Sequence, residues 1–189
     1  MGDLPVTDPF TAAAIGGVVL TEGIKFLYKQ AGEVLKRWRE RHDNAGSTAV
    51  PATLRPPEGL LQGTVEPVEP RDDQADLLEE ELRQARRLLA DYAEEIAVPK
   101  PGDHLVAEQA DALRRLLEAV YGQRITFRGE QRTPSGPLVT GEIDVKQVAG
   151  DAAAIRARAI TSGEVRGSAK AERVEEGGKL SAVEIDQIG

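Results

Sequence analysis

The stretch Leu138–Gly163, LVTGEIDVKQVAGDAAAIRARAITSG, runs directly into Glu164–Gly189, EVRGSAKAERVEEGGKLSAVEIDQIG. Laid over each other at a shift of 26 positions, the two stretches coincide at Val139/Val165, Gly141/Gly167, Val148/Val174 and Gly163/Gly189. Between these identities the apolar positions keep step. Ile143 and Val145 fall on Ala169 and Ala171, and Ala157 and Ala159 fall on Val183 and Ile185. Residues two apart share one face of a strand, so each repeat reads as two half-buried strands joined by glycine-marked turns. The outward positions carry opposite charges: Asp144 over Lys170, Lys146 over Glu172, Arg158 over Glu184. Neighbouring strands stacked in register favour such pairs. Either a two-repeat β-solenoid or an antiparallel meander fits the alternation.

Upstream the period changes from two to three and four. Phe10, Ala13, Gly17, Leu20, Ile24, Leu27, Ala31, Val34 and Trp38 form a heptad seam. Thr7-Asp8-Pro9 supplies a helix start, and the helix is expected to reach about His42. Its front half, Pro9–Thr21, carries no charge. Its rear holds Lys25, Lys29, Lys36, Arg37, Arg39 and Arg41. The uncharged run is shorter than the roughly 20 residues that span a bilayer. An apolar front with a basic rear suits an anionic membrane surface or a helical partner, and the same seam suits packing in a bundle. Those nine seam residues are the candidate membrane or partner interface.

Asp43 to Arg71, with five prolines and no apolar period, reads as an extended, mobile linker open to proteases. Asp72 to about Val98 reads as one helix with the seam Leu78, Leu82, Ala85, Leu89, Tyr92 and Ile96, stopped by Pro99 and Pro101. Asp103 caps a further helix, His104 to about Tyr121, with seam Val106, Ala110, Leu113, Leu117 and Val120 and Gly122 just past its end. Arg124–Arg128 reads as a first strand. The expected fold is therefore α+β: a long amphipathic helix (1–42), a linker (43–71), an antiparallel helical hairpin (72–122) and an all-β module (123–189).

The chain has 189 residues, a formal net charge of −8, no cysteine and two histidines. Net acidity argues against nucleic acid as partner, and the lack of cysteine excludes disulfides and thiolate chemistry. His42 and His104 stand apart from any nucleophile, and no zinc spacing or phosphate-cradling loop is present. The acidic run Glu79-Glu80-Glu81 lies in the first turns of a helix, where the dipole favours acids. The sequence thus leads to expect no catalytic residue, no cofactor and no metal.

The repeat resembles the prion-forming domain of the HET-s class, on Ile143/Ala169, Val145/Ala171, Ala157/Val183 and Ala159/Ile185 inside and the three charge pairs outside. Phe10–Leu20 is similar in character to the apolar first segment of the HeLo-type helical domains that accompany it. The period is shorter here and asparagine ladders are missing, since Asn44 is the only asparagine. The resemblance implies a two-repeat β-solenoid, self-assembly, a membrane-engaging first helix and a setting in regulated cell death or defence. Expected partners are further copies of the chain or a helical protein. The expected place is the cytoplasm, peripheral at the inner face of the membrane. The other reading is a soluble adaptor that binds a partner through its helical seams.

Overall fold

The structure, a computed structural model, describes residues 17–43, 51–100, 103–160 and 164–188. The chain forms two compact units, Met1–Ser135 and Gly136–Gly189. The first is helical, with α1 (Gly17–Asp43), α2 (Asp72–Leu77), α3 (Glu79–Leu88), α4 (Ala90–Ala93), α5 (His104–Tyr121) and a two-residue strand β1 (Gln123–Arg124). The second holds β2 (Gly136–Val148), β3 (Asp151–Ile160), β4 (Glu164–Val174) and β5 (Lys179–Ile188).

In the helical unit, α1 runs antiparallel to α2–α4. Arg41 meets Asp76, Arg37 meets Asp72 at 3.3 Å, Tyr28 donates to Glu94 at 2.8 Å and Lys25 meets Glu95 at 2.6 Å. The seams close on one another: Leu20, Ile24, Leu27, Ala31 and Val34 share a core with Leu82, Ala85, Leu89, Val106, Ala110, Leu113, Leu117 and Val120. Burying a leucine or isoleucine side chain contributes about 1.5–3 kcal/mol, so this interleaving is the main stabilising force of the unit. The end of α5 follows the sequence closely. Asp103 accepts a hydrogen bond from the Val106 amide at 3.3 Å, and Gly122 adopts the left-handed conformation that ends the helix.

The stretch 72–98 differs from the single helix expected. It bends at Leu78 (φ −107°, ψ 12°) and Leu89 (φ −102°, ψ 2°), while the Leu78→Gln74 and Leu82→Leu78 amide bonds carry the path through the first bend. It stops at Ala93, well before Pro99. There Glu95 takes φ 61°, and the Ile96 amide reaches back to the Asp91 carbonyl at 2.8 Å. That is a Schellman-type stop with glutamate in the place glycine usually holds. Lys25 anchors this residue, holding the Glu95 carboxyl below the usual range, while its own pKa is raised by Glu95 and then Glu22.

Of the expected linker 43–71, Asp43 belongs to α1 and 51–71 is not free. Ala52, Leu54 and Leu60 are buried. The Leu54 amide donates to Val68 O at 3.0 Å, Gln62 to Thr126 O at 2.9 Å and Arg71 to Val120 O at 2.9 Å. Leu61 pairs antiparallel with Phe127. Proline excludes helix and central strand but leaves an extended strap free to pack, and alternate apolar residues turn inward here.

The boundary expected at 122/123 moves to Ser135/Gly136, because 123–130 belongs to the helical core. Ile125 and Phe127 are fully buried. Their amides donate to Glu118 at 2.8 Å and to Glu130 at 2.6 Å. Arg114, 1 % exposed, lies between Asp111 and Glu130, with 2.5 Å to the latter. Buried charges persist only when paired in this way.

In the second unit the strands pair parallel, β2 with β4 and β3 with β5, and do not close into a barrel. An antiparallel meander is therefore not what forms. The β2/β4 register is the 26-residue one: Val139↔Val165, Gly141↔Gly167, Val145↔Ala171, Val148↔Val174. The β3/β5 register is two residues longer: Asp151↔Lys179, Ile155↔Val183, Ala157↔Ile185. The turns explain the difference. Ala149-Gly150 joins β2 to β3, whereas Glu175-Glu176-Gly177-Gly178 joins β4 to β5, with Gly177 at φ 83°. A two-residue slip keeps every side chain on its own face; a one-residue slip would have inverted the strand.

Candidate interaction surfaces

Within each repeat the two strands approach so closely that Gly141 and Gly167 cannot be other residues without movement. A Cβ on Gly141 would strike Ile155 and the Ala154 carbonyl of β3. One on Gly167 would strike the Ala182 carbonyl and Val183 of β5. The equivalence of these two glycines, visible in the repeat, thus reflects the same strand-on-strand contact made twice.

On the outer positions, Asp144 pairs with Lys170 in register. Lys146 lies between the pairs Val145↔Ala171 and Gln147↔Arg173, which brings it level with Glu172. All four are exposed. The third expected pair is corrected. Glu184 sits beside Arg156, at 2.9 Å, and also binds Lys179 at 2.7 Å. Arg158 is two positions along, level with Asp186, because Ala157↔Ile185 and Ala159↔Gln187 flank it. Arg156 and Lys179 were missed because a single shift was applied to both halves of the repeat; the longer Glu-Glu-Gly-Gly turn was the available signal. Lys179 first, then Arg156 and Ser181, draw the Glu184 carboxyl down to about 2, and the Lys179 amine is raised in return.

The unit has a thin interior. Among its described side chains Val148 alone is a buried hydrophobe, and Val139 and Val174 are 48 % and 46 % exposed. Among the described residues strand β4 has one sheet neighbour, β2, and β3 and β5 have only each other. Their outer edges present backbone donors and acceptors, the usual template for pairing with another chain.

For the first-helix interface, Leu20, Ile24, Leu27, Ala31 and Val34 lie in the helical core and so do not form an outward face. Trp38 is half-buried and stacks on His42 at 4.4 Å. Gly17 opens the described helix, and Phe10 and Ala13 lie outside the described residues. No helix among the described residues is long and apolar enough to cross a membrane. No group of metal-capable side chains occurs among them either. His42 Nδ1 contacts the Trp38 carbonyl at 2.8 Å, a local helix contact. The chain matches no protein-family model, no curated protein and no solved structure.

Proposed function

We propose that the protein is a non-enzymatic assembly and signalling protein whose C-terminal unit is a two-coil β-solenoid that stacks on further copies of itself. The parallel, in-register strand pairing, with the outer edges of β3, β4 and β5 unpaired among the described residues, carries this reading. A small unit that buries little apolar surface gains most from covering those edges. The charges select the direction of stacking. If the second coil of one copy meets the first coil of the next, the order Asp144, Lys170, Asp144 continues with alternating sign, as do Lys146, Glu172 and Arg156, Glu184. A closed two-fold contact reverses strand direction and loses that register, so growth is head to tail and open-ended.

The uncharged run ahead of α1 remains the element that would bring such an assembly to an anionic membrane. Its proposed contribution rests on residues 9–16 and the basic rear, since the seam from Leu20 onward is occupied within the bundle. The adaptor reading draws on a different feature: Val18, Ile96, Val98 and Leu105 are exposed hydrophobes of the helical unit, available to a partner protein.

Sedimentation velocity over a concentration series separates the two. Stacking predicts a sedimentation coefficient that keeps rising with concentration. A monomer at every concentration removes the assembly reading, and a plateau at dimer removes the head-to-tail geometry.

A further inference from the structure

A groove of about 580 Å³ runs between α1 and the strap in the helical unit. From α1 it is lined by Glu22, Lys25, Phe26, Lys29, Gln30 and Glu33, one stripe at helical spacing. From the strap come Pro51, Thr53, Arg55 and Pro57, the alternate residues of one extended face. Its volume falls in the range of small-molecule sites, roughly 300–1,000 Å³.

The charges of this groove do not cancel internally. Lys25 is committed to Glu95 at 2.6 Å and Glu22 at 3.1 Å. Glu33 receives a long hydrogen bond, 3.4 Å, from Gln30. Lys29 and Arg55 form no salt bridge or hydrogen bond with a described residue; the acid nearest in effect to Arg55, Glu69, already binds Arg37, Thr53 and the Ala52 amide. Gln30 is 4 % exposed and held by its Nε2, which donates to Tyr121 at 2.6 Å and to the Ala52 carbonyl at 3.3 Å. Its Oε1 accepts no hydrogen bond from a described residue. Phe26 and the two prolines give the groove apolar walls.

We propose that this groove binds a small amphipathic anion, a carboxylate or phosphate carried on an apolar body, with Lys29 and Arg55 holding the charge and Phe26, Pro51 and Pro57 the body. Gln30 is fixed from behind by Tyr121, so its Oε1 is set to accept a hydrogen bond from a ligand hydroxyl or amide without prior rearrangement. Binding spans α1 and the strap, and so tightens the helical unit independently of whether the β unit assembles.

Titration of the full chain with phenylacetate, phenyl phosphate, inorganic phosphate and benzyl alcohol, followed by backbone-amide NMR, tests this. Saturable shifts at Lys29, Gln30 and Arg55 are expected with one or both aryl anions, and their relative affinities identify carboxylate or phosphate as the preferred group. Inorganic phosphate is expected to bind more weakly and benzyl alcohol not to saturate. Lys29→Gln with Arg55→Gln, both exposed and therefore expected to leave the melting temperature unchanged, should weaken binding on the order of tenfold or more. Failure of both aryl anions to saturate, equal binding of benzyl alcohol, or unchanged affinity in the double variant would each overturn the proposal.

Discussion

Glu130 shows how one side chain holds a segment in place. One of its oxygens neutralises buried Arg114 and the other accepts the Phe127 amide. Glu130→Gln removes the carboxylate 2.5 Å from buried Arg114 and is expected to cost about 3 kcal/mol, read as a lower urea midpoint with an unchanged slope. A loss within experimental error would mean that Arg114 does not depend on the Glu130 charge. Glu184 acts through pH instead. Its carboxyl is depressed from 4.5 to about 2, so the stability it contributes is complete above about pH 4.5 and disappears as pH falls through about 2. Acid titration of the β-sheet circular-dichroism signal should therefore show a loss across that window that Glu184→Gln flattens. An identical acid profile in the variant would show that Lys179 and Arg156 do not hold it in solution. Neither residue's role was fully legible beforehand. Glu130 lies just past the expected strand Arg124–Arg128, in a stretch assigned no element, and its partner Arg114 reads like any surface arginine of a helix until Glu130 is brought beside it.

At the scale of elements, the sequence was clearest where one local rule decides the outcome. Asp103, the five-residue seam of α5 and Gly122 specify a start, a face and an end, and nothing elsewhere competes with them. The strap was misread because proline density reports what a segment cannot be, and the inward turn of Ala52, Leu54 and Leu60 is fixed by a core supplied from distant residues. The β registers fall between these cases. In β2 and β4 the half-buried and exposed positions alternate as the repeat leads one to expect, whereas the two-residue slip in β3/β5 depends on a turn whose length a uniform repeat conceals. Of the candidate interface residues, the Asp144/Lys170 pair lies side by side as read, Lys146 falls level with Glu172, and Arg158 gives way to Arg156. The close approach at Gly167 gives a direct test of this element. Gly167→Ala drives a methyl into the Ala182 carbonyl and should destabilise the β unit by about 1–3 kcal/mol. Ser168→Ala, on an exposed neighbouring position, should change it little. Equal melting of both variants would show that β4 and β5 are not packed this closely.

For the whole molecule, the division into a helical unit and a repeat-built β unit followed from the change of period along the chain. The internal use of the α1 seam did not, because an amphipathic stripe is equally suited to a bundle, a membrane or a partner. The assembly reading makes the β unit the active surface of the protein and gives it a direction. The chain contains no cysteine, so single cysteines introduced at chosen rungs report on contacts between copies without background. The decisive measurement is oxidation of an equal mixture of two variants, Asp144→Cys and Lys170→Cys, with the products resolved by mass. Head-to-tail stacking sets position 170 of one copy beside position 144 of the next, so the mixed disulfide should form faster than either symmetric one. Symmetric disulfides in excess, or no inter-chain disulfide at all, would contradict it.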